Sequence, residues 1–267
     1  MIARLRSFLK SGLFALGYNL SRHTSSAAIK GLLSKLRPMD CGIELIRIGS
    51  DMDGGYLVPD DLEGIEYCFS PGVSTDSDFE DHLARQYKIK SFLADYSVDA
   101  PPIHRPEFIF DKNFLGCSER DPFITMQFWK DKYLKGYNGD LILQMDIEGG
   151  EYEVLCNAPD SLLDQFRILA IEFHSLDRLF DHFGFEFLSA CFEKLLQFFY
   201  VVHIHPNNCC GSVKKGDLQI PLVMEFTFLN KKRVQAVKPQ RSFPHKLDRE
   251  DVPGEPLLLP RCWYAQE

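Results

Sequence analysis

The sequence has no C-x-x-C pair, no run of 18 apolar residues, no acidic residue before Asp40, and no repeat or low-complexity tract. Each absence removes a class of protein. Without C-x-x-C spacing the eight cysteines do not build a zinc ribbon. Several lie in apolar segments, where a free thiol packs as a small hydrophobe. A chain of 267 residues also has no need of disulfide staples, so a reducing, cytoplasmic compartment is expected. Nothing is long enough to span a bilayer as a helix. Seven of the 30 Lys and Arg lie in residues 1–39 and all 38 acids follow them, so the body carries 23 basic residues against 38 acidic ones. Such a body offers no clustered cations to phosphates, and nucleic acid is set aside as a partner.

The basic leader has its own pattern. Ile2, Leu5, Leu9, Leu13, Leu16 and Leu20 recur at the spacing of one helical face, and Ile29, Leu32, Leu33 and Leu36 make a second short stripe before Pro38. There is no compact apolar core with a small-residue cleavage site, as a secretory signal requires. Residues 1–38 are read as a basic amphipathic segment separable from one domain over 39–267. It would pack on the domain or a second subunit, lie on an anionic membrane surface, or serve as an organellar leader.

From residue 43 onward strands and helices alternate. "GIEYCFSPG" (64–72), "IKSFLADY" (89–96), "EFIFDKNFL" (107–115), "GDLILQMD" (139–146), "FRILAIEFH" (166–174), "YVVHIHP" (200–206) and "PLVMEFTFLN" (221–230) read as strands. Between them, 76–87, 121–133, 150–158 and 185–199 read as helices, the second opening at Asp121 with Pro122 in its first turn. The tail after the last strand is Pro-rich and irregular. The pattern predicts an α/β fold with a doubly wound, mostly parallel sheet, whose ligand crevice lies at the carboxyl ends of the strands. Those ends are Pro71-Gly72, Asp95, Asp146, Glu172 to His174, and His203 to His205.

Three blocks, "PGVSTDSDFE", "FLADYS" and above all "LILQMDIEGGEYEVL", resemble the FkbM-type S-adenosylmethionine-dependent methyltransferases. "SDMDGGYLVPDD", "ILAIEFH", "HIHPNN" and "FPHKLD" resemble further blocks of one branch, and the likeness covers roughly residues 44 to 250. "GVSTD" lacks the second and third glycines of the usual G-x-G-x-G turn. The resemblance implies a class I (Rossmann-like) methyltransferase fold, S-adenosyl-L-methionine as methyl donor, a small-molecule or glycan acceptor, and room for Mg²⁺.

Particular residues fit that chemistry. Gly72 lets a ligand approach the backbone. The turn from Ser74 to Asp78 offers N–H groups to the methionine carboxylate. Asp95 can accept from both ribose hydroxyls, and Glu148 orients cofactor groups. Asp146, Glu172 and His174 are the candidate catalytic residues, able to take a proton from an acceptor hydroxyl or to ligate a divalent ion. Glu151 and Glu153 are read as acids placed for the helix dipole. His203, His205, Asn207 and Asn208 are candidates for the acceptor pocket; the adjacent Cys209 and Cys210 do not suit tetrahedral zinc. "DMDGG" is not a calcium loop, since its twelfth position is Leu62. Two other readings of the same residues are a metal-dependent hydrolase built on Asp146, Glu172, His174 and His205, and a methyltransferase-like domain that only binds.

Overall fold

The computed structural model describes residues 10–17 and 21–265. Seven strands form the central sheet: β1 (Tyr67–Pro71), β2 (Lys90–Ala94), β3 (Phe108–Asp111), β4 (Leu141–Met145), β5 (Phe166–Phe173), β6 (Phe199–Pro206) and β7 (Met224–Asn230). Their spatial order is β3-β2-β1-β4-β5-β7-β6. β1 to β5 run parallel, and β7 is antiparallel to β5 and β6. The order of a dinucleotide-binding sheet is 3-2-1-4-5-6; here an antiparallel strand sits between the fifth and the sixth. This is a doubly wound, Rossmann-like sheet with one antiparallel strand inserted near its edge.

Both faces of the sheet are buried, which is why β4 and β5 read as unbroken apolar runs. Leu141, Leu143, Met145, Leu169, Ile171 and Phe173 point to one face, packed by α1 (Ser26–Lys35), α3 (Met126–Leu134), α4 (Glu151–Asn157) and α5 (His182–Phe198). Ile142, Ile168 and Ala170 point to the other, under α2 (Asp78–His82) and a hairpin of Leu45–Ile48 with Tyr56–Pro59. By the same period of two, Gln144, Asp146 and Glu172 belong to the hairpin side. Glu225 of β7 stands in register with Glu172, and His205 of β6 with Glu225.

Three sequence expectations change. The helix placed over 121–133 starts later: Phe123–Ile124 is a short strand, and Thr125 caps α3 by accepting from the N–H of Phe128 at 3.2 Å. The strand placed over 107–115 is two, ending first at Asp111, whose carboxylate accepts from Trp129 Nε1 at 2.8 Å and ties α3 to the sheet. The break placed at residue 38 is not a break in packing. Ile29, Leu32, Leu33 and Leu36 are buried in the main core, because α1 turns that stripe onto the sheet side. Of the first stripe, Ile2, Leu5, Leu9 and Leu20 lie outside the described residues; within 10–17, residues 10–15 are helical and Phe14 and Leu16 are exposed. The tail is irregular but docked, with Trp263 fully buried against Phe226. Among the described residues no helix is long and apolar enough to cross a membrane.

Candidate active site

The carboxyl ends of β1, β2 and β4 meet at a cleft of about 440 Å³ lined by Gly72, Ser74, Asp95, Asp146 and Glu148, with the rings of Phe114 and Phe123 on one wall. A smaller cleft of about 140 Å³ adjoins it and shares Gly72, Ser74, Asp146 and Glu148. It continues towards Asp53, Tyr56 and Asp76 under the hairpin.

Gly72 has φ +91, and a Cβ there would stand 1.5 Å from the carbonyl oxygen of Asp146. The glycine is therefore demanded first by the crossing of β1 and β4, not by a ligand, although it also lines the cleft. Asp95 is buried, and its carboxylate is already engaged. Oδ2 accepts from the N–H of Ser74 at 2.8 Å, and Oδ1 accepts from the N–H and the Oγ of Ser97, both at 2.7 Å. Of about four lone-pair positions one is open, so taking two ribose hydroxyls requires the Ser97 hydroxyl to turn away. Asp78 does not reach the cleft: it is exposed, and its N–H goes to Asp76 Oδ1 at 2.9 Å. Asp76 takes its place on the wall, two residues earlier in the loop.

Asp146, Glu148, Glu172 and His174 do come together. His174 Nε2 stands 3.4 Å from Glu148 Oε2, 3.4 Å from Glu172 Oε1 and 3.8 Å from Asp146 Oδ1. Its ring is fixed from behind by Glu151. That carboxylate is fully buried, and its Oε1 accepts from the N–H of Ile147 at 3.2 Å, the N–H of Gly149 at 3.0 Å and His174 Nδ1 at 3.1 Å. Glu151 is thus not a solvated dipole acid, as its place in the first turn of α4 suggested. It organises the Ile147–Gly150 loop, in which Glu148 holds φ +57, and it fixes the imidazole. Glu153 lines the larger cleft. Tyr152 Oη donates to the carbonyl of His174 at 2.8 Å, and Asn207 Nδ2 stands 3.3 Å from both oxygens of Glu172.

The electrostatics follow from crowding. Burial pushes Asp146 above the usual carboxylate range; His174 opposes this and Glu148, Glu151 and Asp53 add to it. Glu172 is raised by burial and by Asp146, again against His174. Burial works against the imidazolium of His174, but the hydrogen bond to Glu151 and the facing carboxylates outweigh it and raise the group. Glu225 and Asp251, which no local pattern marks, extend the acidic zone: burial raises both, the charge of Asp251 raises Glu225 further, and a hydrogen bond with Glu225 partly offsets the rise at Asp251.

His203, His205 and Asn208 are placed elsewhere. His203 Nε2 is 2.9 Å from Asp248 Oδ1 and His205 Nδ1 is 3.6 Å from Asp248 Oδ2. Although burial acts the other way, the two histidines facing it hold Asp248 well below the usual carboxylate range. Asn208 exchanges two hydrogen bonds with the backbone of Val252, at 2.8 and 3.0 Å. These residues fasten the C-terminal tail to the edge strand; of the four acceptor-pocket candidates only Asn207 reaches the cluster. A hydrolase centre that needs His205 beside His174 is not assembled, since β7 separates their strands by roughly 10 Å.

No protein-family model and no curated protein matches the chain. Among solved structures it is similar to precorrin-6y C5,15-methyltransferase of Geobacter metallireducens, at 10% identity and a TM-score of 0.31 over 79% of this chain and 94% of that one. It is also similar to a mutant 16S rRNA (adenine(1408)-N(1))-methyltransferase of Catenulisporales acidiphilia, at 10% identity and a TM-score of 0.28 over 74% and 99%. A third is methyltransferase CalO6, at 10% identity and 0.27 over 63% and 58%. At such scores the likeness adds no weight to the strand order.

Proposed function

We propose that the chain transfers a methyl group from S-adenosyl-L-methionine to a hydroxyl oxygen, with a carbohydrate or a glycosylated compound as acceptor. One observation carries the reading. A cleft large enough for an adenosyl ligand lies at the carboxyl ends of β1, β2 and β4, with Asp95 and two aromatic rings on its walls and the Asp146–His174 cluster at its side. Asp95 would hold the ribose, and Phe114 and Phe123 would flank the adenine. The carbohydrate acceptor rests on the resemblance of "MDIEGGEYEVL" and its companion blocks to the FkbM-type family.

Methyl transfer is an in-line displacement at the sulfonium carbon, so the chain must align the hydroxyl oxygen with that carbon and remove its proton. Asp146 stands at the boundary of the two clefts and is shifted upward by burial, which suits proton exchange near neutral pH. Glu172 and His174 lie beside it and can pass the proton on. A labelled-methyl screen against carbohydrate and glycoside acceptors tests the assignment. Asp146→Asn keeps the shape and loses the base, so turnover should fall by about 10²–10⁴ with donor affinity little changed. Label arriving on nitrogen or carbon would remove the hydroxyl acceptor, and near-parent turnover in Asp146→Asn would remove the base.

A further inference from the structure

His174 Nε2 is surrounded by three carboxylates and hydrogen-bonded to none. Its distances of 3.4, 3.4 and 3.8 Å to Glu148, Glu172 and Asp146 exceed the 2.7–3.2 Å of an N–H···O bond. They match a different arrangement. Two atoms that each lie about 2.1 Å from one ion stand roughly 3 to 4.2 Å apart, depending on the angle between them. One ligand atom each from Asp146, Glu148 and His174 fall within 4.8 Å of one another. Asp146 Oδ1 is cut off from solvent and has no hydrogen-bond partner. Glu172 is 4% exposed, and its one side-chain donor, Asn207 Nδ2, is shared between both oxygens at 3.3 Å. Behind the ring, Glu151 accepts from Nδ1 and from two backbone N–H groups. With one ring proton kept on Nδ1 by Glu151, a cation at the site would displace the other from Nε2, whose lone pair then faces the carboxylates. This is the outer-shell carboxylate that metal-ligating histidines use.

We propose that Asp146, Glu148 and His174 bind one divalent cation, with Glu172 available as a fourth ligand and Glu151 as the residue that positions the imidazole. Two or three carboxylates with a single imidazole suit Mn²⁺ or Mg²⁺ better than a thiolate-seeking ion. Glu148 is the gate of the set: its side chain is 84% exposed on the Ile147–Gly150 loop, so an ion has an entry path and the ligand can swing onto it. When bound, such an ion would supply positive charge beside an acceptor oxygen. Neither the ion nor its ligands requires the methyl donor.

The test uses the full chain, stripped with EDTA and titrated with Mn²⁺ while the free ion is read by paramagnetic resonance. One saturable Mn²⁺ per chain is expected, displaced by excess Mg²⁺. Glu148→Gln, an exposed change that leaves packing untouched, should weaken binding about 10-fold or more; Glu151→Gln should do so by about 10–100-fold, the usual effect of an outer-shell loss. Glu63→Gln, an exposed acid ahead of β1, should bind as the parent does. Absence of saturable Mn²⁺ binding by the folded parent, or parent affinity in Glu148→Gln, overturns the site. S-adenosylhomocysteine affinity measured on the same samples separates that result from failure of the methyl-transfer reading.

Discussion

Glu80 is a fully buried carboxyl group whose environment favours its neutral form: burial pushes it up to about 7 from an ordinary 4.5. Ser70 Oγ stands between it and Gln144, 2.6 Å from Gln144 Oε1. The serine has one proton; giving it to Gln144 leaves its oxygen to accept from a protonated Glu80. Because the folded value lies above the unfolded one, this group's contribution is fully present below about 4.5 and is lost as pH rises through about 7. At 1.36 kcal/mol per unit the loss comes to ~3 kcal/mol. Glu80→Gln carries no such proton. Chemical denaturation at pH 5 and pH 8 should show a smaller fall in stability for the variant than for the parent, and equal slopes would mean that Glu80 is ionised in the folded chain.

Among the elements, α1 gives the clearest test of what belongs to the domain. Leu33 is 1% exposed in the core, whereas Lys35 makes a surface ion pair with Glu193 at 2.7 Å. Leu33→Ala should cost about 2–5 kcal/mol of unfolding free energy, and Lys35→Ala about 0–1 kcal/mol. A cost for Leu33→Ala no larger than that for Lys35→Ala would return α1 to the status of an appendage. Its stripe was legible in the sequence; its partner surface was not, because the charge step at residue 40 pointed to a boundary where packing has none. The parallel strands were legible for a physical reason: a strand covered on both faces must be apolar throughout, and its first polar residues mark the carboxyl edge. Asp146, Glu172 and His174 were placed on that edge in this way, and their side chains do lie together. Glu151 was missed because an acid in a first turn looks the same whether it faces water or a buried ring. The pairing of His203 and His205 with Asp248 was missed because it joins segments more than 40 residues apart with no periodic signal.

At the scale of the whole molecule, the hairpin loop and the tail meet beside the acidic side of the cleft. Met39–Asp40 pairs with Lys238–Pro239, and the N–H of Asp53 donates to the carbonyl of Asp251 at 3.3 Å. Arg47 spans the hairpin loop, donating to the carbonyls of Ser50 and Met52 at 2.7 and 2.9 Å. The cleft beside Asp95 is thus walled by the sheet, with hairpin and tail closing the acidic side next to it. The most direct measurement is calorimetric titration of the full chain with S-adenosylhomocysteine. Micromolar binding is expected, about -8 kcal/mol, and Asp95→Asn should lose roughly 1–3 kcal/mol of it, the worth of hydrogen bonds to a charged group. Saturable heat that weakens in this way supports an adenosyl site at the ends of β1 and β2. A well-folded parent that takes up no S-adenosylhomocysteine would contradict it.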